Sequence, residues 1–369
     1  MRGFDTTKRP LVFIWEVTQA CELACEHCRA DAQERRHPDE LTTDEGKKLL
    51  REVREFGEGQ LVVLSGGDPC ARDDLAELIS YGRDIGLTVT LTPSGTSSLT
   101  PEVIADLADA GLRRIALSLD CATPDAHDSF RGEPGSFEAT MRAAQAVRNE
   151  GLPLQINTTV CQRTANHLPA MRTLVADLDA VLWSVFFLVP IGRGRVLEPL
   201  SPARAERVME WLATVSAEES FALKTTEAPH YRRVKAQLTR NESDTQTTGQ
   251  TAGDKRRAGI VAGDGFAFVS HTGEMYPSGF LPESAGNVRE QHPVSIYRES
   301  ELFQALRNRE NLHGKCGACP FKQVCGGSRS RAYAYTGDPL ASDPLCSYVP
   351  PEYNGPMPEQ AFGSDAPTV

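Results

Sequence analysis

Apolar positions along the chain follow two alternating rhythms. Runs rich in β-branched and aromatic residues at 11–17 (LVFIWEV), 60–67, 87–95, 113–120, 153–160 and 180–190 read as strands. Between them, segments 41–57, 73–86, 100–111, 136–151, 166–178 and 201–216 place apolar residues three and four apart, as one face of a helix requires. Several helix ends are marked locally. Thr42 and Glu45 form a capping box, Gly86 closes the second helix, and Thr100 with Pro101 opens the third. Six successive βα units predict a parallel sheet covered by helices. Right-handed crossovers wind such units in one direction, so the fold class is α/β, a partial (β/α)6 barrel; a doubly wound sheet is the alternative.

The pattern changes after residue 220, which closes the barrel domain at 1–220. Residues 221–264 read as a connecting segment, with a polar, flexible linker at 241–257. Residues 265–350 read as a smaller C-terminal α+β domain: a hairpin over 265–282 turning through Thr272 and Gly273, a short helix at 299–308, and a cysteine-rich end. Residues 351–369 read as a disordered tail.

The 369 residues carry a net charge of −11, which speaks against nucleic-acid partners and against a basic membrane footprint. No apolar run reaches the roughly 20 residues a membrane span needs, and MRGFDTTKRP lacks the apolar core of a signal peptide. The expected location is the cytoplasm. In a reducing compartment the ten cysteines are expected as metal ligands or core residues rather than disulfides.

Three of them, Cys21, Cys25 and Cys28, form a C-x3-C-x2-C run directly after the first strand. In parallel α/β folds, sites are built at that edge. Three thiolates can hold three corners of a [4Fe-4S] cube and leave one iron open, or hold a catalytic zinc with one open position. One βα unit later stands Gly66-Gly67-Asp68-Pro69. The cysteine run with this turn resembles the radical S-adenosylmethionine (SAM) superfamily. That resemblance implies that Cys21, Cys25 and Cys28 carry a catalytic [4Fe-4S] cluster whose open iron binds SAM, and that reductive cleavage of SAM yields a 5′-deoxyadenosyl radical. It further implies that the Gly66–Pro69 turn receives the SAM amino group, and that Ser118 and Asp120 meet the methionyl carboxylate and ribose. Arg131 would pair with the SAM carboxylate, and Ser94 and Asn157 would lie near ribose or adenine.

A second set, Cys316, Cys319 and Cys325 in C-x2-C-x5-C spacing with Cys346 beyond, can saturate another [4Fe-4S] cluster or a structural zinc. The run resembles the SPASM/twitch extension of radical SAM enzymes. Ser278 and Ser328 stand where relatives often carry further cysteines, so one auxiliary cluster is implied, suited to electron transfer. Cys70, Cys121 and Cys161 are left without a role.

The opening PLVFIWEVTQACELACEHCRADA, the strand end FFLVPIGRGR and the tail CGGSRSRAYAYTGDPLASDPLC are similar to the haem-biosynthesis branch, over about residues 10 to 350. This implies an iron-porphyrin substrate, oxidative decarboxylation or side-chain removal, and a ferredoxin- or flavodoxin-type electron donor. Substrate carboxylates need cations; Arg193, Arg195, Arg232, Arg233, Arg329 and Arg331 are the candidates, with His230, Tyr231 and His271 as possible contacts to substrate. The alternatives are a radical SAM/SPASM peptide maturase and, in another class, a non-catalytic iron-sulfur electron carrier.

Overall fold

The computed structural model describes residues 4–244 and 260–358. Ten strands form one sheet: β1 (Val12–Thr18), β2 (Leu61–Gly66), β3 (Thr88–Leu91), β4 (Ile115–Ser118), β5 (Leu154–Val160), β6 (Leu182–Phe187), β7 (Ala222–Thr226), β8 (Phe266–Val269), β9 (Glu274–Tyr276) and β10 (Gly286–Asn287). Their spatial order is β10-β9-β8-β1-β2-β3-β4-β5-β6-β7. The six strands read from sequence run parallel in chain order, and no pairing joins β7 to β10, so the barrel is open.

Two findings alter the expected division of the chain. Segment 221–264 is not only a connector: it supplies β7, parallel to β6, and the helix Tyr231–Asp244. The C-terminal region also does not build a separate sheet. Its β8 pairs parallel with β1, and β9 and β10 continue antiparallel, so the hairpin turning at Gly273 extends the barrel's own sheet. β7 escaped sequence reading because ALKTT is short, lies at an edge and carries a lysine where a buried strand would carry an apolar residue. The expected linker begins inside a helix that runs to Asp244, and 245–257 lie outside the described residues, as do 359–369 of the expected tail. Residues 351–358 are described and hold no helix or strand.

The period-two pattern of the strands sorts their faces. On β1, Phe13, Trp15 and Val17 point outward and are fully buried under helices, while Val12 and Ile14 face the barrel interior. The helix Thr43–Arg54 lays Leu49, Leu50 and Val53 on that outer face, and its start carries the expected box, Thr42 accepting from Glu45 N and Glu45 from Thr42 N. Gly46 sits on the same helix face because the Trp15 ring occupies the space: a Cβ there would lie 2.4 Å from the indole. Gly46→Ala improves helix propensity by about 1 kcal/mol but overpacks a fully buried indole, which costs typically 1–3 kcal/mol. A net loss in thermal-melt stability is the expected result.

Candidate active site

The loop after β1 carries Cys21, Cys25 and Cys28 across the C-terminal edge of the strands, where all three line a cavity of about 410 Å³, a size usual for small-molecule sites. The loop is fastened from above. Arg193, in a 3-10 turn after β6, donates from its side chain to Cys25 O (3.0 Å) and Ala32 O (2.9 Å), and its backbone N–H donates to Cys28 O (3.0 Å). Burial pushes the Cys21 and Cys25 thiols upward, so their thiolates need a cation or metal beside them. Their polar neighbours are mostly donors: Leu23 N–H lies 3.4 Å from Cys21 Sγ, Ala32 N–H lies 3.5 Å from Cys28 Sγ, and the Ser94 hydroxyl is 3.2 Å from Cys21 Sγ. This donor set suits a cluster held on three thiolates. Among the described residues no His, Cys, Asp or Glu group is drawn in tightly enough for a single ion; ligands of separate cube corners stand farther apart.

The Gly66–Pro69 turn is built against this loop. A Cβ on Gly66 would lie 2.3 Å from Thr18 O, and one on Gly67 would lie 2.3 Å from Ala20 O. The glycines therefore let β2 close onto the cysteine loop's own backbone, with Gly67 N–H bonded to Thr18 O and Asp68 N–H to Ala20 O. Gly66 and Gly67 line the cavity, but Asp68 and Pro69 do not. The Asp68 carboxylate instead accepts from Cys70 N–H, Ser94 N–H and the Thr96 hydroxyl, locking the turn to the loop after β3. That fixes Ser94, whose hydroxyl donates to Gly67 O.

Ser94, Ser118, Arg131 and Asn157 all line the cavity, and Asp120 is buried outside the lining. Arg131 comes from a helix that the sequence reading did not anticipate, Pro124–Arg131, which opens on a proline and stops at left-handed Gly132. Its guanidinium donates to Ser94 O (3.0 Å) and lies 3.6 Å from Asp120 Oδ2. Asp120 Oδ1 accepts from Thr159 N–H, and Oδ2 also faces His27 at 3.8 Å. His27 stacks on Phe130 at 4.6 Å, and burial pushes its pKa down to about 4, leaving it neutral.

The second cysteine set also comes together. Cys316, Cys319, Cys325 and Cys346 line one small cavity with Arg233, Lys315, Lys322 and Tyr348. Here too the sulfurs meet donors: Asp343 N–H on Cys316, Phe321 N–H on Cys319 and Gly327 N–H on Cys325, each at 3.4 Å. Arg329 lies 3.8 Å from Cys316 Sγ and Arg233 3.9 Å from Cys346 Sγ. Hydrogen bonds and cations around sulfur stabilise thiolate ligands. Ser278 and Ser328, the two positions without the expected cysteine, converge on one carboxylate, Glu227, which also accepts from Ser330.

The cations singled out for substrate carboxylates are mostly committed elsewhere. Arg193 buckles the cysteine loop, and Arg195 is exposed outside the cavity. Arg233 pairs with Glu206 at 2.6 Å, and Arg331 with Asp343. Arg329 donates to Pro339 O and Ala341 O, and Arg232 to Val324 O and Ile260 O, although both also border the cavity. His230 is wholly buried 3.8 Å from Asp343, Tyr231 donates to Leu212 O, and His271 meets Glu16 at 2.7 Å. Three cations in the cavity lining were missed: Arg29, which pairs with Glu16, and Arg114 and Lys224. The signal for the last two was the period-two pattern on β4 and β7, which puts each on the inner face.

Arg193→Gln removes three charge-assisted bonds from the loop, to Cys25 O, Ala32 O and the Asp31 carboxylate, while leaving every thiol. Outer supports of this kind are worth roughly 10–100-fold in metal affinity. Faster loss of N-terminal cluster iron to a chelator is expected.

Residues 15–171 match the radical SAM superfamily. A protein named AdoMet-dependent heme synthase from Methanosarcina barkeri is 43% identical over 93% of this chain and 98% of its own length. One of the same name from Nitratidesulfovibrio vulgaris is 40% identical, over 91% of this chain and 92% of that one. The crystal structure of Streptococcus suis SuiB bound to S-adenosylmethionine superposes with a TM-score of 0.71 at 16% identity, covering 92% of this chain and 78% of that one, a likeness of fold. The chain belongs to the radical SAM superfamily: it is an enzyme that uses SAM and a [4Fe-4S] cluster. Within that superfamily it is similar, along nearly its whole length, to proteins named for haem synthesis. Membership in an enzyme superfamily sets aside the non-catalytic electron carrier. No helix among the described residues is long and apolar enough to cross a membrane.

Proposed function

We propose that this enzyme oxidatively decarboxylates propionate side chains of an iron porphyrin in haem biosynthesis. The observation that carries the reading is the charge of the cavity beneath the cysteine loop. In a protein of net charge −11, the described residues of the lining include six cations, Arg29, Arg114, Arg131, Lys224, Arg232 and Arg329, against one carboxylate, Glu227; Arg29 and Arg131 are paired with Glu16 and Asp120 behind it. Low-dielectric walls focus such a field onto an anionic ligand. The names of the 43%- and 40%-identical relatives support the same substrate class.

In this reading Cys21, Cys25 and Cys28 hold the catalytic cluster. Gly66, Gly67, Ser94, Ser118, Arg131 and Asn157 line the SAM pocket, with Asp68, Pro69 and Asp120 fixing its walls. Cleavage of SAM supplies the radical that takes one hydrogen atom from the propionate β-carbon. The side chain then loses carbon dioxide and one electron and becomes a vinyl group, so each event balances as one hydrogen atom, one carbon dioxide and one electron. Cys316, Cys319, Cys325 and Cys346 would hold an auxiliary cluster, which would offer an acceptor for that electron. A ferredoxin- or flavodoxin-type protein in the cytoplasm serves as the reductant for SAM cleavage. The barrel (1–220) and the auxiliary-cluster region (265–350) divide these roles while sharing one sheet. The peptide-maturase alternative is supported less: proteins named PqqA peptide cyclase are 29–30% identical to this chain, against 43% and 40% for those named for haem synthesis.

The test is anaerobic incubation of cluster-loaded protein with SAM, reductant and iron-coproporphyrin III, read by mass spectrometry. Loss of formic-acid equivalents from the porphyrin with matching 5′-deoxyadenosine is expected. 5′-Deoxyadenosine formed beside an unchanged porphyrin would overturn the porphyrin reading.

A further inference from the structure

The barrel interior has two unlike walls. On β1, β2 and β8 it is apolar, with Val12, Ile14, Leu61, Val63, Phe266 and Phe268. The wall opposite is polar and carries Arg114, immediately ahead of β4, and Lys224, in the middle of β7. Neither side chain has a hydrogen bond or ion pair among the described residues. The other four cations lining the cavity are all engaged: Arg29 with Glu16, Arg131 with Asp120, and Arg232 and Arg329 with backbone carbonyls. Lys224 is exposed and borders the cavity, and desolvation of its ammonium together with the nearby Arg114 charge holds its pKa down to about 8. No acidic group among the described residues offsets either cation.

Two like charges that border one cavity without a counter-ion destabilise the empty protein. An anion between them reverses the sign of that contribution. Position narrows which anion. The cysteine loop crosses the C-terminal ends of the strands, whereas Arg114 precedes the first residue of β4, at the opposite end of the lumen. A carboxylate on the Arg114 guanidinium lies toward the end of the lumen away from the cysteine loop, while Lys224 stands in register with Ser184 of β6. The apolar wall across the lumen suits the flat face of a macrocycle.

We infer that Lys224 and Arg114 form an anchoring site for a substrate carboxylate that is not the one removed, seating the porphyrin with its reacting edge toward the cysteine loop. The inference rests on the porphyrin reading and deepens it. Because an anchoring propionate survives the reaction, the pair should hold product as firmly as substrate.

The experiment is an absorbance titration of the cluster-loaded enzyme and of Lys224→Gln, Arg114→Gln and Lys224→Arg with two ligands, iron-coproporphyrin III and iron-protoporphyrin IX, beside equilibrium dialysis with SAM. A charge-assisted contact of this kind is worth roughly ten- to a hundredfold in affinity. Each glutamine variant is expected to bind both porphyrins weaker by that factor, Lys224→Arg to stay near the parent, and SAM affinity to be unchanged, which also reports an intact fold. Porphyrin affinities within twofold of the parent would overturn the anchor and leave the proposed reaction standing. Weaker binding of iron-coproporphyrin III alone would mean that the pair holds the reacting carboxylate, and weaker binding of SAM alone that it holds the SAM carboxylate; either result overturns the assignment. Failure of the parent enzyme itself to bind either porphyrin would refute the reaction and the anchor together.

Discussion

Cys25→Ala is expected to reduce 5′-deoxyadenosine formation to background, a loss of more than about a thousandfold, and to remove one cluster's worth of iron. The argument is that the three thiols work as a unit. Each of Cys21, Cys25 and Cys28 borders the cavity, and none of the other barrel cysteines, Cys70, Cys121 and Cys161, is in its lining to serve as a spare ligand. Groups that act together lose their effect together, so removing one costs about as much as removing all. Single variants at each position and the triple variant should therefore be equally inactive in SAM cleavage, measured by chromatography of 5′-deoxyadenosine. Iron from the C-terminal set should persist in all of them, because its four cysteines line a cavity of their own. Any single variant with a tenth of parental activity would show that the thiols are not a unit.

The largest effect on stability is expected at Asp343, which sits in a fully buried ion pair with Arg331 at 3.2 Å. Its carboxylate also accepts from Ser328 N–H and Leu345 N–H, which brings the segment before Cys346 against the start of the Arg329–Thr336 helix. Removing one partner of a buried pair leaves the other charge uncompensated, at about 3–5 kcal/mol. Asp343→Ala should lower the denaturation midpoint accordingly. Arg331→Met combined with Asp343→Leu should recover only part of the loss, because Arg331 also donates to the carbonyls of Phe187, Leu188 and Glu227. The pH dependence has a definite sign. Burial by itself would raise the Asp343 carboxyl, but Arg331 and the neighbouring backbone donors outweigh it and hold its pKa below the usual value. A carboxyl depressed in the folded state stabilises above its unfolded pKa, near 4, and loses that contribution as pH falls through the folded value. The acid limb of stability should flatten in Asp343→Ala.

The barrel strands were legible because alternation of apolar residues is a local property, and a parallel sheet buried under helices demands it. The cysteine runs were legible for the same reason, since ligands supplied by one loop must lie close in sequence. Elements whose stability comes from distant partners were not. The helix Arg329–Thr336 has no apolar face, and Arg329, Ser330 and Arg331 are buried through ion pairs and carbonyl contacts rather than by hydrophobic matching. β7 is likewise held by its pairing with β6, not by its own composition.

The chain's periodicities and cysteine spacings alone specify a partial barrel with three thiols at its C-terminal edge and four more near its end. The sequence equally names the arginines, but it cannot say which are free. Arg193, Arg233, Arg329 and Arg331 all looked available for a ligand. Folding commits Arg193 to carbonyls of the cysteine loop more than 160 positions away, Arg233 to Glu206, Arg331 to Asp343 and Arg329 to carbonyls beyond its own helix. Availability depends on whether a partner arrives through space, and that is settled by the tertiary structure. It leaves Lys224 and Arg114, two residues with no motif around them, as the cavity-lining cations without a hydrogen-bond or ion-pair partner among the described residues.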